Sequence, residues 1–279
     1  MSGPVTMDGV GALADRFDVF LVDQFGVLHD GERPYPGAVE ALERLTTAGK
    51  RCLLLSNSGK RAAPNEARLE RLGFRKGSWT AFLSSGDVAW KYLQAEYRDG
   101  LSRKCLLISR DDDRSAVEGL PLALTASGED ADVILLSASE GDRYGLDHYR
   151  QLLAPAAERA VPCLCTNPDK IMLTASGPRF GAGRIAELYE EMGGPVTWIG
   201  KPFPQIYAAA LELLRHPDPT RVICIGDSVE HDIAGGQAAG LKTALVATGI
   251  IGTATQEDRR QLFREHGATP DYLLPGFRW

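Results

Sequence analysis

The chain has 279 residues, 44% of them hydrophobic and 24% charged, which suits one large domain or a core carrying an inserted second one. A formal net charge of −6 argues against nucleic acid or an anionic membrane as a partner, since both call for a basic surface. The opening "MSGPVTMDGVGALADRF" has no basic end followed by an apolar stretch, and no segment is long enough to span a bilayer, so a cytoplasmic globular protein is expected.

The first element is "VFLVDQFGVLHDG", where the apolar run Val19 to Val22 stops at Asp23 and Gly26 follows. This reads as a buried strand that ends in a carboxylate and a glycine turn. Next, "PGAVEALERLTTAGK" places Val39, Leu42 and Leu45 at helical spacing, with Pro36 near the start and Gly49 at the stop. "RCLLLSNSG" is a second strand ending in small polar residues, and "APNEARLERLGF" a second helix closed by Gly73. A middle section, about 79–179, holds the strand-like "KCLLIS", "ADVILLS" and "VPCLC" and a helix through "HYRQLLAPAAERA", enough for a separate small α/β domain. The core pattern is expected to resume with "VTWIGKP", the helical "IYAAALELL", "RVICIGDS", a helix from about Asp232 and "KTALVATG". The expected division is therefore a core of 1–78 and 180–279, with 79–179 inserted. Short apolar strands alternating with helices predict an α/β fold with a doubly wound parallel sheet.

Five cysteines sit in apolar strand-like runs, which fits reduced core residues; Cys163 and Cys165 lack the second ligand pair of a zinc site. "NSGKR" lacks the first glycine of a P-loop and carries Arg61 in place of Ser or Thr. "FGAGRIAEL" lacks the third glycine of a dinucleotide fingerprint, and its glycines are expected at the hinge where the inserted domain returns to the core. Asp111 to Asp113 read as a solvated loop.

Ligands of open parallel sheets bind beyond the carboxyl ends of the strands. Four strand ends here carry reactive groups: Asp23, then Ser56, Asn57 and Ser58, then Lys201, then Asp227 with Asp232. Their chemistry is complementary. Asp23 can be a nucleophile if a cation offsets its repulsion of an anionic substrate, and Asp227 supplies a second hard oxygen of the kind Mg²⁺ prefers. Ser56 offers a hydroxyl to a phosphoryl oxygen, Lys201 a point charge, and Asp232 a carboxylate to orient Lys201 or a metal-bound water.

"LVDQFGVL", "LLLSNS", "GKPFP" and "CIGDSVEHDIAGGQAAGLKTALVATGI" resemble, in order, the four motifs of the haloacid dehalogenase-like hydrolases. The insertion and "TNPD" (Thr166 to Asp169) resemble the class IIA branch, which includes p-nitrophenyl and pyridoxal phosphatases. The resemblance implies a Rossmann-like core with an α/β cap and Mg²⁺-dependent hydrolysis of small phosphate esters. It makes Asp23 the nucleophile, Ser56 and Lys201 the phosphate-binding positions, and Asp23, the Phe25 carbonyl, Asp227 and Asp232 the metal site. Asn57, Ser58 and Asn167 are expected to face substrate, and the resemblance extends to a homodimer formed through the cap.

The chain departs from the pattern at Phe25, where the family phosphatases carry an Asp that protonates the leaving group. That acid contributes about 10²- to 10⁴-fold. Three readings follow: a phosphatase for activated leaving groups or one with a substitute acid (His29 or Asp30), a dehalogenase-like hydrolase, or a non-catalytic protein that binds a phosphometabolite.

Overall fold

The computed structural model describes residues 3–174 and 177–279. The chain forms two compact units, each built on its own sheet. The first comprises Met1–Ser56, Asn65–Leu83 and Lys201–Trp279; the second comprises Asn57–Pro64 and Ser84–Gly200.

In the first unit, seven strands lie in the order Val5–Thr6, Tyr272–Leu274, Lys242–Val246, Val222–Gly226, Val19–Val22, Arg51–Ser56 and Ala81–Ser84. From Val5–Thr6 through Arg51–Ser56 every neighbouring pair is parallel. All four residues of Val19–Val22 and all five of Val222–Gly226 are buried, as strands covered on both faces require. The helix Ala38–Thr47 buries Ala38, Ala41, Leu42 and Leu45, a stripe at three- and four-residue spacing, and Gly49 ends it at φ +74°. Each fully buried leucine of this core contributes about 1.5–3 kcal/mol relative to exposure.

The second unit has five parallel strands in the order Val196–Trp198, Cys163–Cys165, Val133–Leu136, Arg103–Ile108 and Leu122–Thr125. Side-chain alternation splits its core in two. Leu106, Ile134, Leu136, Cys163 and Cys165 pack with residues of the helices Leu146–Glu158 and Ala182–Glu191. Cys105, Val133, Leu135 and Leu164 pack with Ala89 and Leu93 of Ser85–Glu96. The two-residue spacing of Cys163 and Cys165 thus puts both sulfurs on one packed face, and all five cysteines are free and buried.

Both expected domain boundaries move. Ala81–Ser84 edges the first sheet, so the chain leaves the first unit at Leu83 and Ser84 rather than at 78 and 79. At the other end Val196–Trp198, read from the sequence as a core strand, pairs in parallel with Cys163–Cys165, which keeps residues 180–200 in the second unit. Gly181 and Gly183 are therefore no hinge between units. They lie inside the second unit, where a Cβ at Gly181 would collide with the Asp169 carbonyl and one at Gly183 with that of Pro168. Among the described residues no helix is long and apolar enough to cross a membrane.

Candidate active site

The site is built at the ends of two adjacent strands of the first sheet. The Asp23 N–H donates to the Ile225 carbonyl at 2.9 Å, which continues the ladder one residue past Val22 and fixes the direction of the carboxylate. The chain then turns tightly. The Gln24 carbonyl accepts from Leu28 and His29 at 2.8 and 3.2 Å, and Gly26 adopts φ +86°, a conformation costly for any residue with a Cβ. On the neighbouring strand Asp227 follows Gly226 directly, and one of its oxygens accepts the Ile250 N–H at 2.7 Å. Asp232 lies in the π-helical turn Val229–Ala234, where its Oδ2 accepts the Ser228 N–H at 3.1 Å. Such wide turns recur at functional sites.

Lys201 enters where the chain returns from the second unit, not at the end of a core strand as the sequence suggested. Its Nζ lies 2.8 Å from Asp23 Oδ1 and 2.6 Å from Asp232 Oδ1, with the residue only 3% exposed. Glycines make room for the acids. A Cβ at Gly26 or Gly249 would strike the Asp227 carboxylate, and one at Gly226 would strike that of Asp232.

Asp23 and Asp232 thus share one ammonium in a buried space, with Asp227 close to both carboxylates. Burial pushes the Asp23 carboxyl up to about 7; Asp232's charge adds to this, while Lys201 and a hydrogen bond from the Gln24 N–H oppose it. Asp227 is raised well above the usual carboxylate range by burial and then by Asp23 and Asp232. Burial alone would lower Lys201, but its two carboxylate partners outweigh burial and raise it. Oxygens of Asp23, Asp227 and Asp232 lie within 4.8 Å of one another. Hard oxygen donors with an uncompensated negative charge suit a small divalent cation such as Mg²⁺. Within the set Asp232 has both oxygens engaged, one by Lys201 and one by Ser228.

Ser56 ends the strand beside Val19–Val22, and its buried hydroxyl accepts from Gln24 Nε2 at 2.7 Å. Asn57, Ser58 and Asn167, also singled out from the sequence, belong to the second unit. Asn57 donates to Asp169 Oδ1 at 2.8 Å, and the Asp169 N–H donates to Asn167 Oδ1 at 3.3 Å, so the two asparagines gather around an aspartate to which the sequence assigned no role. Ser58 shapes a turn: its Oγ accepts from the Lys60 N–H and its carbonyl from the Gly86 N–H.

Phe25 is 38% exposed, its ring edge-to-face with His29 at 5.7 Å and packed against Gly31. The two titratable groups beside it are engaged in their own turn. His29 Nδ1 accepts the Gly31 N–H at 3.0 Å, which places the ring proton on Nε2. Burial, with Arg68's charge, pushes the pKa down to about 4, so the imidazole is neutral at pH 7. Asp30 caps its own turn, accepting from Glu32 and Arg33 at 2.9 and 2.7 Å, and those bonds hold its carboxyl below the usual range. Sequence reasoning missed Gln24 and the Gly249–Ile250 backbone. Gln24's only signal was its place between Asp23 and Phe25.

Residues 20–122 match the haloacid dehalogenase-like hydrolase family, and residues 198–278 match a second group described as HAD-hydrolase-like. Chronophin from Bos taurus is 31% identical over 98% of this chain and 94% of its own. A haloacid dehalogenase-like family hydrolase from Brucella suis superposes with a TM-score of 0.83 at 26% identity, covering 97% of this chain and 99% of its own. A glycerol phosphate phosphatase from Mycobacterium tuberculosis, solved in complex with magnesium, has a TM-score of 0.69 at 25% identity over 88% of this chain and 71% of its own.

Proposed function

We propose that this chain, which belongs to the class IIA branch of the haloacid dehalogenase-like hydrolases, is a Mg²⁺-dependent phosphatase of small phosphorylated metabolites that favours activated leaving groups. The observation that carries the reading is the buried contact of Lys201 with both Asp23 and Asp232, beside Asp227. Buried charges cost several kcal/mol each to desolvate, and a hydrophobic cluster of the same volume would be at least as stable, so a chemical task best explains them.

Asp23 attacks phosphorus, the bond to the leaving oxygen breaks, and that oxygen departs with the electron pair. Water then attacks the aspartyl-phosphate, releasing phosphate and restoring the carboxylate. Lys201 holds Asp23 in line and offsets phosphoryl charge, Asp232 holds Lys201, and Ser56 donates to a phosphoryl oxygen. Asp23, Asp227 and the Phe25 carbonyl would hold Mg²⁺, which supplies Lewis-acid stabilisation of the phosphoryl oxygens. Phe25 moves no proton and His29 is neutral and buried, so the leaving oxygen departs unaided. Acyl, aryl and enol phosphates meet that condition; simple alkyl phosphates do not. The acidic cluster weighs against halide chemistry, which needs no cation.

The test is phosphate release from acetyl phosphate, p-nitrophenyl phosphate and an alkyl phosphate, in Mg²⁺ or EDTA, by wild type, Asp23→Asn and Phe25→Asp. The expected result is Mg²⁺-dependent hydrolysis of the first two only, lost in Asp23→Asn. The absence of a proton donor at Phe25 favours a second reading, a phosphometabolite-binding protein. Silence of wild type on all three with a gain in Phe25→Asp would establish that one instead.

A further inference from the structure

We infer that Gln24 is a positioning residue for phosphate recognition, setting the Ser56 hydroxyl as a donor; the inference rests on the reading of Ser56 given above. Gln24 is 3% exposed, and its side chain is turned inward rather than into solvent. Nε2 donates to Ser56 Oγ at 2.7 Å and lies 3.5 Å from Asn65 Oδ1. Oε1 is buried and has no hydrogen-bonding partner among the described residues. Leaving a buried amide oxygen without a partner costs stability, so the arrangement is poor if its only purpose is stability.

A serine hydroxyl has one proton and two lone pairs. Where its proton points decides whether it can donate to a bound oxyanion. Accepting the Gln24 N–H occupies a lone pair on the inner side, so the hydroxyl proton points away from Gln24. Accepting one bond also strengthens the bond the same hydroxyl donates. Asn65 supports this orientation from the buried face of the helix Ala62–Arg71, because an acceptor oxygen on that side selects the NH₂ end of the glutamine. The same residue directly follows the nucleophile Asp23 in the chain. Two groups that would meet phosphate are thereby referenced to one residue, across neighbouring strands.

The experiment is a double-mutant cycle read by calorimetric binding of inorganic phosphate in Mg²⁺: wild type, Gln24→Met, Ser56→Ala and the double variant. Met keeps the length of Gln without its donor, and Gln24→Leu replaces it if Met does not fold. Gln24→Met should weaken phosphate binding about 3- to 10-fold, the worth of one oriented hydrogen bond, with KM for acetyl phosphate rising more than kcat falls. In the Ser56→Ala background the same change should cost nothing further. A merely structural role predicts a lowered melting temperature with phosphate affinity unchanged, or losses that add independently; either result overturns the inference. Wild type that binds phosphate without turnover sinks the phosphatase reading, while the cycle still decides the role of Gln24. Wild type that binds no phosphate overturns both.

Discussion

The two units solve one packing problem in the same way and then part company at the strand ends. Each has a parallel sheet with buried aliphatic strands and helices packed against it. In the second unit the charged groups remain near solvent: Arg110 grips Asp142 with two bonds of 2.7 Å, 30% and 22% of the two side chains being exposed. In the first unit Lys201 and its carboxylate partners are buried where water cannot screen them. Exposed pairs are nearly free to keep and nearly worthless to lose, while a buried cluster must be complete to be tolerated. The contrast teaches which charges have a task.

The sharpest way to break this contrast is Asp23→Asn. Loss of the nucleophile should lower kcat on acetyl phosphate about 10⁴-fold or more, with the fold intact by circular dichroism. Next in size, Lys201→Met strands Asp23 and Asp232 together, and should cost about 3–5 kcal/mol in denaturant unfolding as well as all turnover. A loss under about 1 kcal/mol would mean that the cluster is wetter than its burial indicates.

Phe25→Asp comes third. An acid at that position should raise hydrolysis of an alkyl phosphate about 10²-fold and leave acetyl phosphate within a few-fold. Equal gains on both would show that Phe25 acts by blocking the site rather than by withholding a proton.

The fourth test concerns pH. Asp23 titrates at about 7 when folded and near 4 when unfolded, so between those values the folded chain holds the extra proton and stability falls as pH rises. His29, folded at about 4, works the other way: neutral burial loses stability as pH falls below about 6.5. The cluster is isolated by comparing melting curves in Mg²⁺ and EDTA, since the cation needs the carboxylates ionised. The Mg²⁺-induced rise in Tm should grow from pH 5 to pH 8. Smallest of all, Arg110→Gln should leave turnover unchanged and cost about 1 kcal/mol or less in unfolding.

Much of this was legible in the sequence because buried parallel strands announce themselves as apolar runs and stop at polar residues. Asp23, Ser56 and Asp227 each follow such a run directly and were found that way. Lys201 was found for a partly wrong reason. Val196–Trp198 is as apolar as a core strand, and nothing in its composition says which of two parallel sheets it joins. The reach of the second unit was misread on the same ground, as was Ala81–Ser84 at the edge of the first sheet. Side-chain direction was also out of reach: that Gln24 turns inward to Ser56, and that His29 spends Nδ1 on the Gly31 N–H, depends on the path of a turn that residue types do not dictate.

The order of the segments along the chain sets a timetable for synthesis. The second unit is complete at Gly200, whereas the strand Val19–Val22 still lacks its neighbour Val222–Gly226. At about 5–20 residues per second the ribosome needs roughly 1–5 s more to reach the end of that strand. Throughout that interval the nascent protein carries a finished domain and an open, apolar sheet edge whose Asp23 still lacks Asp227 and Asp232. Chaperone capture or misassociation of the nascent chain would fall in this window, after the inserted domain has formed and before the enclosing one has closed.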